Sequence, residues 1–219
     1  MTAPQDDRGS LSVGVVGTGH VGLMTCLTLA SMGHRVLGCD ADPEKVQFLV
    51  AGRMPFHEPG GQELLREQLA GGRLTFSSEI GDAVSEADAV FICVGTPPGV
   101  SGEANLVAFE QAAREIARKV TGPLTVVEKS TVPAGTAGHL ERTMLEERPD
   151  LRGVIDVVSN PEFLQEGRAL QDSLHPDRIL VGASSPRAFE TMRHLTRPCS
   201  LCPNGRSVGP SSNWSWPRK

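Results

Sequence analysis

Apolar residues in this chain follow two rhythms. Short unbroken runs, of which Ala89-Val90-Phe91-Ile92-Cys93-Val94 is the clearest, alternate with longer stretches where apolar residues recur at helical spacing. An unbroken run suits a parallel strand buried on both faces. Recurrence every three to four residues suits an amphipathic helix. The pattern predicts strands at 13–16, 34–40, 73–76, 89–94, 124–127, 154–158 and 178–182. It predicts helices at 21–32, 43–51, 62–70, 80–87, 106–120, 136–147 and 186–195. Residues 54–60, with two prolines and a glycine, read as a loop.

Strands alternating with helices imply an α/β fold: a doubly wound, mostly parallel sheet with helices on both faces. The first strand breaks into Gly17-x-Gly19-x-x-Gly22 before a helix begins. Strand, glycine turn and helix form the context of a dinucleotide-binding, Rossmann-like unit. Gly17 permits the tight turn, Gly19 lets a pyrophosphate approach the backbone, and Gly22 lets the helix lie close to the strand. The N–H groups that start the helix, at the positive end of its dipole, face the phosphates.

Asp40 ends the second strand and follows Gly17 by 23 positions, near the expected spacing of about 20. An acid there accepts hydrogen bonds from ribose hydroxyls and repels a 2′-phosphate, which favours NAD over NADP. Asp42, followed by Pro43, reads instead as a helix cap. The other distinctive stretches, residues 95–98, 129–131 and 160–166, also follow predicted strands. They share the carboxyl edge, where ligands of such sheets bind.

Composition adds bounds. The chain has 219 residues, 39% hydrophobic and 21% charged, with a net charge of −5. That length buries a substantial core, and a mildly acidic balance gives no reason to expect nucleic acid or an anionic membrane. No apolar run approaches the ~20 residues that span a bilayer. Residues 1–11 are expected to be a disordered leader without a secretion signal. Five cysteines without framework spacing point to a reducing cytoplasm. Cys199-x-x-Cys202 has no second pair and no helix pattern after it, so no metal site is expected.

The same loops carry a resemblance. Gly17-Thr18-Gly19-His20-Val21-Gly22-Leu23, Glu58-Pro59-Gly60, Val94-Gly95-Thr96-Pro97 and Glu128-Lys129-Ser130-Thr131-Val132-Pro133 come first. Asn160-Pro161-Glu162-Phe163-Leu164 with Glu166-Gly167, then Pro176-Asp177-Arg178-Ile179-Leu180-Val181-Gly182, complete the order. Over residues 12–195 the chain resembles the N-terminal half of the UDP-glucose/GDP-mannose 6-dehydrogenase family. Members oxidise C6 of a nucleotide sugar twice with NAD⁺, from alcohol to carboxylate, through an enzyme-bound thioester, to supply polysaccharide precursors.

The resemblance implies roles by position. Gly17, Gly19, Val21 and Gly22 would hold the pyrophosphate, and His20 would belong to the NAD site. Asp40 would hold the adenosine ribose with Lys45 beside it, and Thr96, Ser130 and Glu166 would line the NAD site. Thr131 would hold the reacting water, and Glu162 would act as general base or water activator. Glu162, Phe163, Leu164, Gln165 and Glu166 would line the sugar-nucleotide pocket. A carboxylate near a hydroxyl and a water can accept protons as hydride leaves or as a thioester is hydrolysed. The substrate implied first is UDP-glucose, with UDP-N-acetylhexosamines and GDP-mannose as alternatives. A non-catalytic NAD-binding fragment is the competing reading.

The departures also matter. His20 stands where many relatives carry Tyr, and Gln165 occupies a position that varies. None of the five cysteines has the setting of the family's thiol nucleophile. The helices through which the family forms homodimers are not recognisable. The resemblance stops near Leu195. Residues 196–219 contain no acidic residue, and both tryptophans, Trp214 and Trp216, fall in the last six positions. The expectation is a truncated product with an out-of-frame tail, which reading the coding DNA past codon 196 in other frames would test.

Overall fold

The computed structural model describes residues 9–97, 105–130 and 135–196. Thr131, Pro98, the two C-terminal cysteines and the tail lie outside the described residues. The elements are β1 (Ser12–Val16), α1 (His20–Ser31), β2 (Arg35–Cys39), α2 (Pro43–Val50), α3 (Gly61–Ala70), β3 (Leu74–Ser77), α4 (Ile80–Val84) and β4 (Ala89–Ile92). They continue with α5 (Val107–Lys119), β5 (Leu124–Glu128), α6 (Thr136–Glu147), a 3-10 turn at Pro149–Leu151, β6 (Ile155–Ser159), α7 (Ala169–Leu174), β7 (Gly182–Ala183) and α8 (Pro186–Thr196).

The strands form one sheet in the order β3-β2-β1-β4-β5-β6-β7. Every pairing is parallel except β6 with β7. The order reverses between β1 and β4, which opens the crevice where doubly wound sheets take their ligands.

Side-chain alternation along the strands builds two cores. Val13, Val15, Phe91, Val127 and Val158 face one layer with Leu23, Leu27 and Leu170. Val16, Val90, Ile92, Val126 and Ile155 face the other with Phe109, Ile116 and Met144. Leu23, Leu27, Phe109 and Ile116 are completely buried, each contributing about 1.5–3 kcal/mol relative to exposure. α1 is buried along nine consecutive residues, from Gly22 to Ala30, so its axis and first turn are held rigidly against the sheet. No described helix is long and apolar enough to cross a membrane.

Two expectations need correction. The strand expected at 178–182 is only Gly182–Ala183, and it runs antiparallel. Between β6 and β7 the only helix is α7, of six residues, about 9 Å long. That is too short to carry the chain back to the amino edge, so it re-enters the sheet from the carboxyl side. Leu180 is accordingly exposed, and its carbonyl accepts a hydrogen bond from the Asn160 side chain rather than from a ladder partner. α7 itself was not predicted. At under two turns it is too short to show helical periodicity.

Candidate functional site

The carboxyl ends of β1, β2, β4, β5 and β6 form one edge, and the described parts of the singled-out loops meet there. Gly17 leaves β1 with φ +92°, and its N–H donates to the Cys39 carbonyl at 2.8 Å. A Cβ at Gly22 would lie 1.7 Å from the Gly17 carbonyl oxygen, so only glycine allows α1 to pack this close. A Cβ at Gly19 would meet nothing within 4 Å. The backbone is therefore open to an approaching group at Gly19 and closed to one at Gly22.

α1 starts at His20 after Gly19, with no side-chain cap and no acidic residue in its first turn. α2, by contrast, is capped by Asp42, whose carboxylate accepts from the Glu44 and Lys45 N–H groups. The cap reading of Asp42 is therefore correct. The uncapped donors of α1 are what an anion needs.

Asp40 sits at the end of β2 and is organised by four donors. Oδ2 accepts from the Thr18 N–H and hydroxyl, each at 2.9 Å, and from Lys45 Nζ at 2.8 Å. Oδ1 accepts from the Asp42 N–H at 3.1 Å. Burial alone would raise the Asp40 carboxyl, but the bonds from Lys45, Thr18 and Asp42 outweigh it and hold the group below its ordinary range. Asp40 is thus an anion at neutral pH, as recognition of ribose hydroxyls requires. Lys45 pairs with it at 2.8 Å.

The far half of the edge is built on β5 and β6. Glu128, Lys129 and Ser130 close β5. The Ser130 hydroxyl donates to the carbonyls of Val94, at 2.8 Å, and Ile92. It ties the loop carrying Thr96 to β5, with its hydroxyl spent on backbone. Lys129 Nζ donates to Asn160 Oδ1 at 3.2 Å, and Asn160 in turn holds the Leu180 carbonyl at 2.8 Å. Burial lowers the Lys129 ammonium, partly offset by Cys93 and Glu162. Glu162 Oε2 accepts from the Leu164 N–H at 2.7 Å, which curls the 160–166 loop around the carboxylate. Phe163 is 46% exposed under the Arg178 guanidinium, which lies 4.4 Å from its ring. Gln165 is held through its backbone N–H by Asp172 at 3.1 Å, while its side chain and Glu166 lie on the open surface.

The edge therefore brings together the glycine turn, Asp40, Lys45, Ser130 and the 160–166 loop. The His20 ring stacks on Phe56, with centroids 4.5 Å apart. Sequence reasoning missed Thr18, Lys129 and Asn160 as side chains that organise the edge. Thr18 lies inside the glycine motif at a variable position, and Lys129 and Asn160 stood in singled-out loops without a role. It also missed Glu128, whose carboxyl is buried without a partner for Oε2 and pushed up by burial to about 7. A cleft of about 480 Å³ lined by Leu11, Asp88, Arg187 and His194 is remote from these loops, at the amino edge of the sheet.

Known proteins with the same arrangement were found by sequence and by structure. A family model for the UDP-glucose/GDP-mannose dehydrogenase family, NAD-binding domain, matches residues 11–200. The UDP-glucose 6-dehydrogenase of Rhizobium meliloti is 42% identical over 87% of this chain and 44% of its own length. YwqF of Bacillus subtilis, another UDP-glucose 6-dehydrogenase, is 40% identical over 87% of this chain and 43% of its own. The chain thus spans less than half the length of these relatives. Among solved structures, a UDP-glucose dehydrogenase from Pyrobaculum islandicum superposes with TM-score 0.82 and 42% identity, covering 90% of this chain and 46% of that one. A GDP-mannose dehydrogenase from Pseudomonas aeruginosa follows with TM-score 0.78 and 30% identity, covering 85% and 44%.

Proposed function

The chain belongs to the UDP-glucose/GDP-mannose dehydrogenase family, to its NAD-binding domain, and on that premise we propose that its carboxyl edge serves the NAD-dependent oxidation of a nucleotide sugar at C6. The observation that carries this reading is the pairing of an uncapped α1, open at Gly19, with a pre-organised anionic Asp40. Bound NAD supplies the hydride acceptor. Residues 17–22 hold its pyrophosphate, Asp40 and Lys45 its adenosine ribose, and the Thr96, Ser130 and Glu166 segments its remaining length.

Glu162 is the group assigned to take the proton of the sugar C6 hydroxyl or of a water. Thr131, outside the described residues, is assigned to hold that water. Residues 163–166 flank the sugar nucleotide. UDP-glucose is favoured because relatives named for it reach 40–42% identity, against 30% for the GDP-mannose enzyme. The cytoplasm, where such nucleotide sugars are made, is the proposed location.

Covalent completion of the reaction needs a nucleophilic thiol, and the described thiols do not supply one. Cys26, Cys39 and Cys93 are buried. Burial pushes Cys39 and Cys93 up to about 12 and raises Cys26 well above the ordinary thiol range. This chain by itself is therefore proposed to bind NAD without turning over. Calorimetric titration with NAD⁺ and NADP⁺, together with an absorbance assay for NADH on addition of UDP-glucose, tests both parts. NAD⁺ should bind more tightly than NADP⁺, and no steady NADH production should follow. Tighter NADP⁺ binding would overturn the cofactor reading, and sustained NADH formation the catalytic one.

A further inference from the structure

Glu58 has no role in the site described above, yet it touches two parts of it. It lies in the loop between α2 and α3 and is 4% exposed. Oε1 accepts from the Leu170 backbone N–H, in the first turn of α7, at 3.2 Å. Oε2 lies 3.5 Å from His20 Nε2, in the first turn of α1. Both facing atoms, Glu58 Oε2 and His20 Nε2, are buried and have no hydrogen-bond partner. The stack of His20 on Phe56, nearly parallel at 9°, keeps the imidazole in place opposite the carboxylate. The contact is incomplete: an N–H···O bond spans about 2.9 Å, and leaving a buried polar atom unpaired is costly.

An anion arriving at the α1 N-terminus changes this balance. His20 is the first residue of that helix, and its ring already faces the Glu58 carboxylate, so an anion held there meets the residue that stands against Glu58. The same carboxylate already holds α7, which directly follows the loop of residues 160–168 and packs on α1. We propose that Glu58 is a positioning residue that couples occupancy of the pyrophosphate site to the order of α7 and the substrate loop. Closing the His20–Glu58 contact fixes the carboxylate, and the fixed carboxylate fixes the Leu170 N–H. The inference rests on the cofactor reading for the identity of the anion. Its energy comes from a ligand binding better to the closed arrangement than to the open one.

Hydrogen–deuterium exchange on the full chain, with and without saturating NAD⁺, tests the coupling in the unmodified protein, Glu58→Gln and Glu58→Ala. In the unmodified protein NAD⁺ should slow exchange at residues 17–23 and also, by about tenfold, at residues 169–174. Glu58→Gln can still accept from Leu170, so α7 should exchange normally without NAD⁺, but the NAD-dependent slowing of α7 should fall at least several-fold. Glu58→Ala should loosen α7 in both states. A merely structural Glu58 would leave the NAD-dependent slowing intact in Glu58→Gln, and that result overturns the coupling. If Glu58→Ala does not fold, the isosteric variant decides alone. Slowing at 17–23 without any at 169–174 in the unmodified protein also overturns the coupling but spares the cofactor reading. No slowing at 17–23 overturns both.

Discussion

Thr18 and Asp40 are joined twice: the backbone N–H and the hydroxyl of Thr18 both donate to Asp40 Oδ2, each at 2.9 Å. The glycine turn and the end of β2 are thereby one rigid unit. The carboxylate proposed to face the ribose and the turn proposed to face the pyrophosphate keep a fixed separation before any ligand arrives. Thr18 is fully buried, so its donors depend on that carboxylate.

Asp40→Ala should therefore act twice. It removes the acceptor proposed for ribose hydroxyls, and hydrogen bonds to charged groups contribute about 1.5–3 kcal/mol. NAD⁺ affinity should fall roughly 10- to 100-fold, with a smaller loss or a gain for NADP⁺ because a 2′-phosphate would then face Lys45 rather than an ion pair. It also orphans Thr18, so the melting temperature should drop. Titration calorimetry and thermal unfolding separate the two effects. Unchanged NAD⁺ affinity in a folded Asp40→Ala protein would remove Asp40 from the site.

Gly19→Ala and Gly22→Ala should diverge. The Cβ at position 19 meets nothing within 4 Å, whereas that at position 22 lands 1.7 Å from the Gly17 carbonyl oxygen. Gly22→Ala must push α1 off β1, with a cost at or above the upper end of the roughly 1–3 kcal/mol range for overpacking. Gly19→Ala should unfold like the unmodified chain but bind NAD⁺ at least tenfold more weakly, because the methyl occupies the phosphate approach. Equal melting temperatures for the two variants would contradict the packing argument.

The contrast between these glycines also marks what the sequence could reveal. The central strands were legible because both faces are buried, which forces residues such as Phe91 and Val126 to be apolar without interruption. The glycine turn was legible because the close approach of α1 to the Gly17 carbonyl leaves no choice of residue at Gly22. The contact of Glu58 with Leu170, 112 positions away, leaves no local pattern. Lys129 and Asn160 pair only because β5 and β6 are neighbours in register. The apolar stretch Ile179-Leu180-Val181 misled because hydrophobicity alone does not distinguish a buried strand from a loop that crosses the open end of the sheet.

Two buried groups should give stability opposite dependences on pH. His34 Nδ1 accepts from the Leu11 N–H and its Nε2 faces the Leu195 carbonyl, so the ring joins β1 to α8 as the neutral Nε2–H tautomer. Burial lowers His34 below its ordinary 6.5, partly offset by the bond to Leu195. The unfolded chain then binds the proton first, so His34 destabilises the fold as pH falls below about 6.5. Glu128 is raised by burial from 4.5 to about 7. The folded chain there keeps the proton longer, so this contribution is present below 4.5 and is lost as pH rises to about 7. Thermal unfolding from pH 4.5 to 8 should show the two separately. Glu128→Gln should stabilise at pH 8 by about 1–3 kcal/mol and have little effect near pH 4.5. His34→Gln should flatten the acid side. A Glu128→Gln protein less stable than the unmodified chain at pH 8 would mean that the carboxylate is paired when charged.

The buried cysteines make the last prediction, because it separates fold from chemistry. Cys26 and Cys93 face the core shared by α1 and β4, and Cys39 ends β2. Their thiols are held protonated by burial, with Cys39 further raised by Asp40 and Cys93 partly relieved by Lys129. Reaction with an alkylating or disulfide reagent requires the thiolate, so native protein at pH 8 should leave all three unmodified over hours. Peptide mapping by mass spectrometry would locate any label. Denaturant should expose Cys26 and Cys93 together, since they share one packed layer between α1 and β4, whereas Cys39 lies on the opposite face of the sheet. If NAD⁺ binds the neighbouring turn, it should slow labelling of Cys93 at intermediate denaturant, because a ligand of the folded state raises the cost of opening it. Rapid native labelling of Cys93 would mean that the β4 edge opens freely, and the rigid platform assigned to the cofactor would then be wrong.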